Sequence, residues 1–224
     1  QNWSLGTGWS IGDDKAIANN VPNLERLQSG GGVASVIGTS YKYSLNASNV
    51  SGFYTLYVYG VAVQASVSSE GLIEGYVKAT STNGSVYVQG ASAGGLISGE
   101  FTNITVEEVG QEWTLDDGCS ITAQGARIVS DGTYQQITQS NVMVIGDTYE
   151  MEYEITESVS GFIIATASFD SELKLRNTIG VHKFYAVAAG TSLQIKRASG
   201  ITDITIDNIK VKRLTGDDTP RIDY

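Results

Sequence analysis

The chain has 224 residues, 41% hydrophobic and only 17% charged, with 26 glycines and 2 prolines, which is the composition of a turn-rich globular protein and not of a disordered one. A net charge of −10 repels phosphate backbones and argues against a nucleic-acid partner. The single cysteine, Cys119, rules out an intrachain disulfide, and no apolar run approaches the roughly 20 residues of a membrane-spanning helix. The chain opens at Gln1 rather than Met, with no signal peptide, and is expected to be a processed form or a fragment.

The first stretch, WSLGTGWSI at 3–11, returns as WTLDDGCSI at 113–121, so Trp113 follows Trp3 by 110 positions. Later blocks return in the same order. NLERLQ at 23–28 matches TYQQIT at 133–138. VIGTSYKYSL at 36–45 matches VIGDTYEMEY at 144–153. SGFYTLY matches SGFIIAT, and FTNITVEEV at 101–109 matches IDNIKVKRL at 206–214. The offset drifts by a few residues, as small loop insertions produce. Two homologous copies follow, at 1–110 and 111–214, with an extended tail at 215–224.

In chain order, NNVPNLERLQ at 19–28 is the one helix-like stretch, and it is short. SGGGVAS at 29–35 reads as a flexible hairpin loop. Strand signals dominate after it. SYKYSLN sets Tyr41, Tyr43 and Leu45 on one face. In GFYTLYVYG at 52–60, Tyr54, Leu56 and Val58 alternate with Phe53, Thr55, Tyr57 and Tyr59. SVYVQ places Val86 and Val88 inside and Tyr87 outside. A short linker, EVGQEW, leads into the second copy. There TYEMEYEIT puts Tyr149, Met151, Tyr153 and Ile155 inward and Glu150, Glu152 and Glu154 outward, and SLQIKR puts Leu193 and Ile195 inward. The final run at 201–214 alternates through Ile204, Ile206, Ile209 and Val211, with a phase slip at Asp207 and Asn208 that predicts a bulge. Short amphipathic strands divided by glycine and Asx turns predict an all-β protein of two tandem jelly-roll β-sandwich domains.

The block order resembles the jelly-roll carbohydrate-binding modules, galactose-binding-like sandwiches appended to glycan-degrading enzymes. The residues that carry the likeness are an early Trp, YQQIT, GDTYEMEYEIT and the last strand ITIDNIKV. The resemblance implies a glycan ligand. It also implies that the final-strand Asp helps hold a structural calcium. That position is Asp207 in the second copy and Thr102 in the first, so calcium is an implication for the second domain alone. The tail GDDTPRIDY at 216–224 looks like a connector of phage tail and fibre proteins; read without that likeness, it is an ordinary extended linker.

Enzyme signatures are sparse. His182 is the one histidine and reads as a surface or turn residue, no G-x-S-x-G elbow is present, and the outward glutamates of the second copy read as a solvated stripe. Cys119 takes the place of Trp9 and reads as a small buried residue. Trp3 and Trp113 recur together and read as core packing. A sugar needs an aromatic surface for its C–H face and hydrogen-bonding groups at its rim. Tyr57, Tyr59 and Tyr87 with Gln89 are the candidate platform, the alternative being that these tyrosines pack against a neighbouring domain or subunit. The second copy replaces the tyrosine run with FIIATASF, so the copies should differ in ligand or only one should bind.

The expected function is therefore a non-catalytic virion protein of phage fibre or decoration type, virion-borne or extracellular. It would display carbohydrate-binding-like modules toward host surface glycans, as a homo-oligomer among other virion proteins, with no nucleic-acid or membrane partner. The alternatives are a carbohydrate-binding module pair of a secreted glycan-degrading enzyme and a purely structural assembly protein.

Overall fold

The structure, a computed structural model, describes residues 2–30, 35–82, 84–91, 95–165, 168–170 and 173–214. Most of the expected glycine loop, at 31–34, and the tail at 215–224 lie outside the described residues. No helix occurs among the described residues, and the helix-like stretch at 19–28 instead closes one strand and opens the next.

The strands of the first half are β1 (Asn2–Leu5), β2 (Trp9–Gly12), β3 (Lys15–Val21), β4 (Arg26–Gly30), β5 (Ser40–Ser51), β6 (Tyr54–Val58), β7 (Val61–Val67), β8 (Gly71–Lys78), β9 (Val86–Gly90) and β10 (Ile97–Val109). Those of the second are β11 (Thr114–Leu115), β12 (Cys119–Thr122), β13 (Gly125–Ser130), β14 (Gln136–Gln139), β15 (Thr148–Ser160), β16 (Ile163–Ala165), β17 (Leu173–Lys174), β18 (Gly180–Val187), β19 (Leu193–Arg197) and β20 (Thr202–Arg213). The chain divides into two compact units between Val109 and Gly110.

Each unit is a jelly-roll sandwich of two five-stranded antiparallel sheets. In the first unit the sheets run β1-β4-β9-β6-β7 and β2-β3-β10-β5-β8. In the second they run β11-β14-β19-β16-β17 and β12-β13-β20-β15-β18. Adding ten to every strand number of the first unit gives the second, so the sequence repeat is a repeat of topology.

The alternating residues meet between the sheets. Leu27, Leu45, Tyr54, Leu56, Val88, Ile97 and Phe101 fill the first core. Ile128, Ile137, Met151, Tyr153, Ile155, Ile195 and Ile204 fill the second. Each such side chain contributes about 1.5–3 kcal/mol by leaving water.

Paired details mark the duplication. Asn103 and Asn208 both adopt left-handed φ, 52° and 50°, where the register of the last strand against β5 or β15 slips. The phase slip read at Asp207 and Asn208 is this bulge. The hydroxyl oxygens of Tyr41 and Tyr149 accept from the backbone N–H of Val36 and Val144, at 3.3 and 2.9 Å.

Candidate functional site

The tyrosines arise from the β4-β9-β6-β7 part of the first sheet. β9 alternates Val86 and Val88 inward with Tyr87 and Gln89 outward, and β6 alternates Leu56 and Val58 inward with Thr55 and Tyr57 outward. Cross-strand register then builds two adjacent rows on the outer face. One row is Gln28, Tyr87, Tyr57 and Ala62; the other is Arg26, Gln89 and Thr55.

Tyr57 and Tyr87 stack on one another, with ring centroids 4.6 Å apart and planes within 18°. The Arg26 guanidinium carbon lies 4.5 Å from the centroid of Tyr87. This is a three-layer stack of cation, ring and ring, in which each contact contributes about 0.5–1.5 kcal/mol. Burial, the larger effect, pushes the Tyr87 hydroxyl above its ordinary pKa; Arg26 pulls it down and Tyr57 pushes it up. The ring face of Tyr57 turned from Tyr87 looks toward β7, where its register partner is the exposed methyl of Ala62.

The hydrogen-bonding groups of the two rows are partly committed. The Gln28 amide donates to Ser85 Oγ at 3.1 Å, and Thr55 Oγ1 accepts from the N–H of Ser66 at 3.2 Å. Gln89 is 7% exposed, and its Oε1 has no partner among the described residues. A buried acceptor without a donor costs about 1–3 kcal/mol.

One expected member does not join the platform. Tyr59 is 5% exposed and belongs to the core, edge-on to Tyr41 of the opposing sheet. The reason is the turn. β6 ends at Val58, and Tyr59 (φ 49°) and Gly60 (φ 90°) form the two-residue reversal into β7. Left-handed φ at both positions is the hairpin geometry that follows strand twist, and it interrupts the alternation that would have carried Tyr59 outward. Gln89 stands beside Tyr87 on the outer face, but as a buried acceptor and not as an open rim group.

The second unit presents a different surface on the equivalent sheet. Its outer face carries Gln136, Thr138, Gln194, Lys196, Ile164 and Lys174. Lys196 Nζ lies 5.5 Å from the centroid of the Tyr134 ring, and Lys174 Nζ 3.5 Å from that of Phe162.

The other candidates resolve as follows. Glu150, Glu152 and Glu154 do share an outward face. Glu150 meets Lys183 at 2.9 Å and Tyr185 at 2.7 Å, Glu152 meets Lys210 at 2.8 Å, and Glu154 accepts from Asn208 at 2.8 Å. His182, in β18, bonds through Nε2 to the backbone oxygen of Thr178 at 2.6 Å and rests against the Tyr153 ring. Cys119 is buried, and its Sγ donates to the carbonyl of Gln136. Trp3 and Trp113 are half-buried against their cores, and each borders a cleft of about 370 Å³ beside the bulge. Asp207 lines the second cleft with Trp113, Gln139 and Asn208 and is the one carboxylate there. Calcium takes six to eight oxygens, usually with several carboxylates, and no three His, Cys, Asp or Glu side chains gather among the described residues. The donor set at Asp207 does not fit a calcium cage.

Arg26, Gln28, Thr55 and Ala62 were not legible as site residues. They reach Tyr57 and Tyr87 through a strand order that places β4 beside β9 and β9 beside β6.

No protein-family model matches the sequence, and no curated protein matches it. Among solved structures it is similar to the N-terminal CBM22-1–CBM22-2 tandem domain of Paenibacillus barcinonensis Xyn10C. The identity is 8% over 95% of this chain and 97% of that one, with a TM-score of 0.31. It is also similar to the secreted serine protease VesC of Vibrio cholerae, at 11% identity over 79% of this chain and 48% of that one, with a TM-score of 0.30. AerE of Microcystis aeruginosa matches at 12% identity over 95% of this chain and 99% of that one, with a TM-score of 0.18. These overlaps are too loose to bear on function, and none of the three is a phage protein.

Proposed function

We propose that this protein is a non-catalytic carbohydrate-binding protein whose first unit holds a saccharide against Tyr57. The observation that carries this reading is the Tyr57–Tyr87 stack on the outer face of the sheet, with the exposed Arg26 lying over Tyr87. A sugar ring offers an apolar C–H face to an aromatic ring and hydroxyl oxygens to a donor, and Tyr57 and Arg26 stand in adjacent rows. One shallow site of this kind binds weakly, at roughly millimolar to micromolar Kd, about 4–8 kcal/mol. Several copies acting together would raise the avidity by about 10²–10⁴. Display on a phage fibre as an oligomer is a narrower form of the same reading, and it rests on the sequence at 216–224 alone.

The test is binding of the intact chain to immobilised polysaccharides and a glycan array, with wild type and the Tyr57→Ala/Tyr87→Ala double variant. Binding by wild type that the folded double variant loses supports the site. Equal binding by both removes it. Association of copies that the double variant disrupts, with no saccharide bound by wild type, makes the tyrosines a protein contact and favours a structural assembly role.

A further inference from the structure

The protein carries 24 acidic residues and a net charge of −10, yet none of the ten strands in the two tyrosine-type sheets contains one. In the first unit these strands read NWSL, RLQSG, YTLYV, VAVQASV and VYVQG. In the second they read TL, QITQ, IIA, LK and LQIKR. Their charged residues are all cations: Arg26, Lys174, Lys196 and Arg197. In the opposing sheets four of the ten strands hold acids, from Glu74 and Glu100 to Glu150, Glu152, Asp203 and Asp207.

Arg197 acts on Asp131, but the other three cations of the acid-free sheets are used differently from those opposite. On the acid-bearing sheets Lys15 pairs with Glu100, Lys42 with Glu74, Arg127 with Asp203, and Lys183 with Glu150 and Glu152. Arg26, Lys174 and Lys196 meet no carboxylate among the described residues. Each lies over an aromatic ring instead: Tyr87, Phe162 and Tyr134. The nearest acid in sequence to Arg26 is Glu25, and its Oε2 is turned to the N–H of Thr7 at 2.7 Å.

From this segregation we infer that the tyrosine face selects saccharides that carry a carboxylate, with Arg26 as the residue that reads it. The inference rests on the saccharide-binding reading above and names its ligand class. The contact with Tyr87 anchors the guanidinium group, which has no acid partner among the described residues, and its planar fork matches a carboxylate with two parallel bonds. A uronic-acid ring supplies a carboxylate for Arg26 and a C–H face for Tyr57. The absence of acids on this face spares that carboxylate a like-charge neighbour in a protein whose net charge would repel it.

The test uses the intact chain and matched probes: polygalacturonate, alginate and hyaluronate, each beside the same polymer with its carboxyl groups reduced to alcohols, and dextran sulfate beside dextran. Calorimetry should show each bound uronate preferred over its reduced form by about tenfold. Arg26→Gln should bring the two within about twofold while Tyr57→Ala/Tyr87→Ala abolishes both. Raising the salt should weaken the uronate and leave the reduced polymer unchanged. Equal affinity for uronate and reduced forms overturns the inference and leaves the tyrosine site standing. Dextran sulfate bound as tightly as the uronates overturns the carboxylate assignment in favour of a general anion face. Loss of binding to none of the probes in Arg26→Gln overturns the role of Arg26, and no binding of any probe by wild type overturns both readings.

Discussion

Tyr59 packs edge-on against Tyr41 inside the sandwich, with centroids 4.5 Å apart, while Tyr57, two residues earlier, stacks outside it on Tyr87. The two tyrosines should therefore separate stability from binding. Tyr59→Ala leaves a cavity in the first core and is expected to cost about 3 kcal/mol. Tyr57→Ala removes one outer-face contact and is expected to cost no more than about 1 kcal/mol, but to weaken saccharide binding. Urea unfolding with parallel binding measurements checks both. Equal destabilisation by the two would mean that Tyr57 is a packing residue.

Gly52 and Gly161 occupy the same turn in the two units, at φ 88° and 75°. A Cβ on Gly52 would run into the carbonyl oxygen of Leu96, and one on Gly161 into that of Ile201. Gly71 has the same φ as Gly52, with nothing near the Cβ position. Gly71→Ala is expected to cost about 1 kcal/mol for the conformation alone, and Gly52→Ala and Gly161→Ala about 2 kcal/mol or more. Chemical denaturation of the three variants measures this, and a Gly52→Ala midpoint no lower than that of Gly71→Ala would show that the Leu96 segment yields.

The sandwich was legible because burial on one side writes a period of two into a strand. Tyr149, Met151, Tyr153 and Ile155 lie in the core, and Glu150 and Glu152 on the surface, as their alternation required. The bulge at Asn208 was legible as a slip in that same period. Tyr59 was not, because a Tyr-Gly pair lacks the usual Asn-Gly signature of a two-residue turn, and alternation carried past the turn assigns the wrong face. The acid-free sheets were invisible for a different reason. β4, β9 and β6 are neighbours in space and far apart in sequence, so their shared lack of acids emerges only once strand order is known.

The carboxylates of the second unit supply a prediction about acid. Glu150 is held below the ordinary glutamate value of 4.5 by Lys183 first and Tyr185 next, and Glu152 by Lys210 first. Asp203 is held below the ordinary aspartate value of 3.8 by Arg127, which bonds it through two nitrogens at 2.8 and 2.7 Å. With a lowered pKa in the folded state, the unfolded chain binds more protons between the two values. The stabilisation is then complete above the ordinary value and is lost as the pH falls through the folded one. Melting temperature should be flat near neutrality and fall as the pH drops from about 5 to about 3. In Glu150→Gln/Glu152→Gln/Asp203→Asn the fall should be shallower, because the groups that bind those protons are gone. These residues lie in the second unit and Tyr57 and Tyr87 in the first, so the triple variant should bind saccharide as wild type does. Calorimetric melts across that range decide the matter: an unchanged slope would mean that other carboxylates carry the acid sensitivity and that these pairs are surface contacts of no thermodynamic weight.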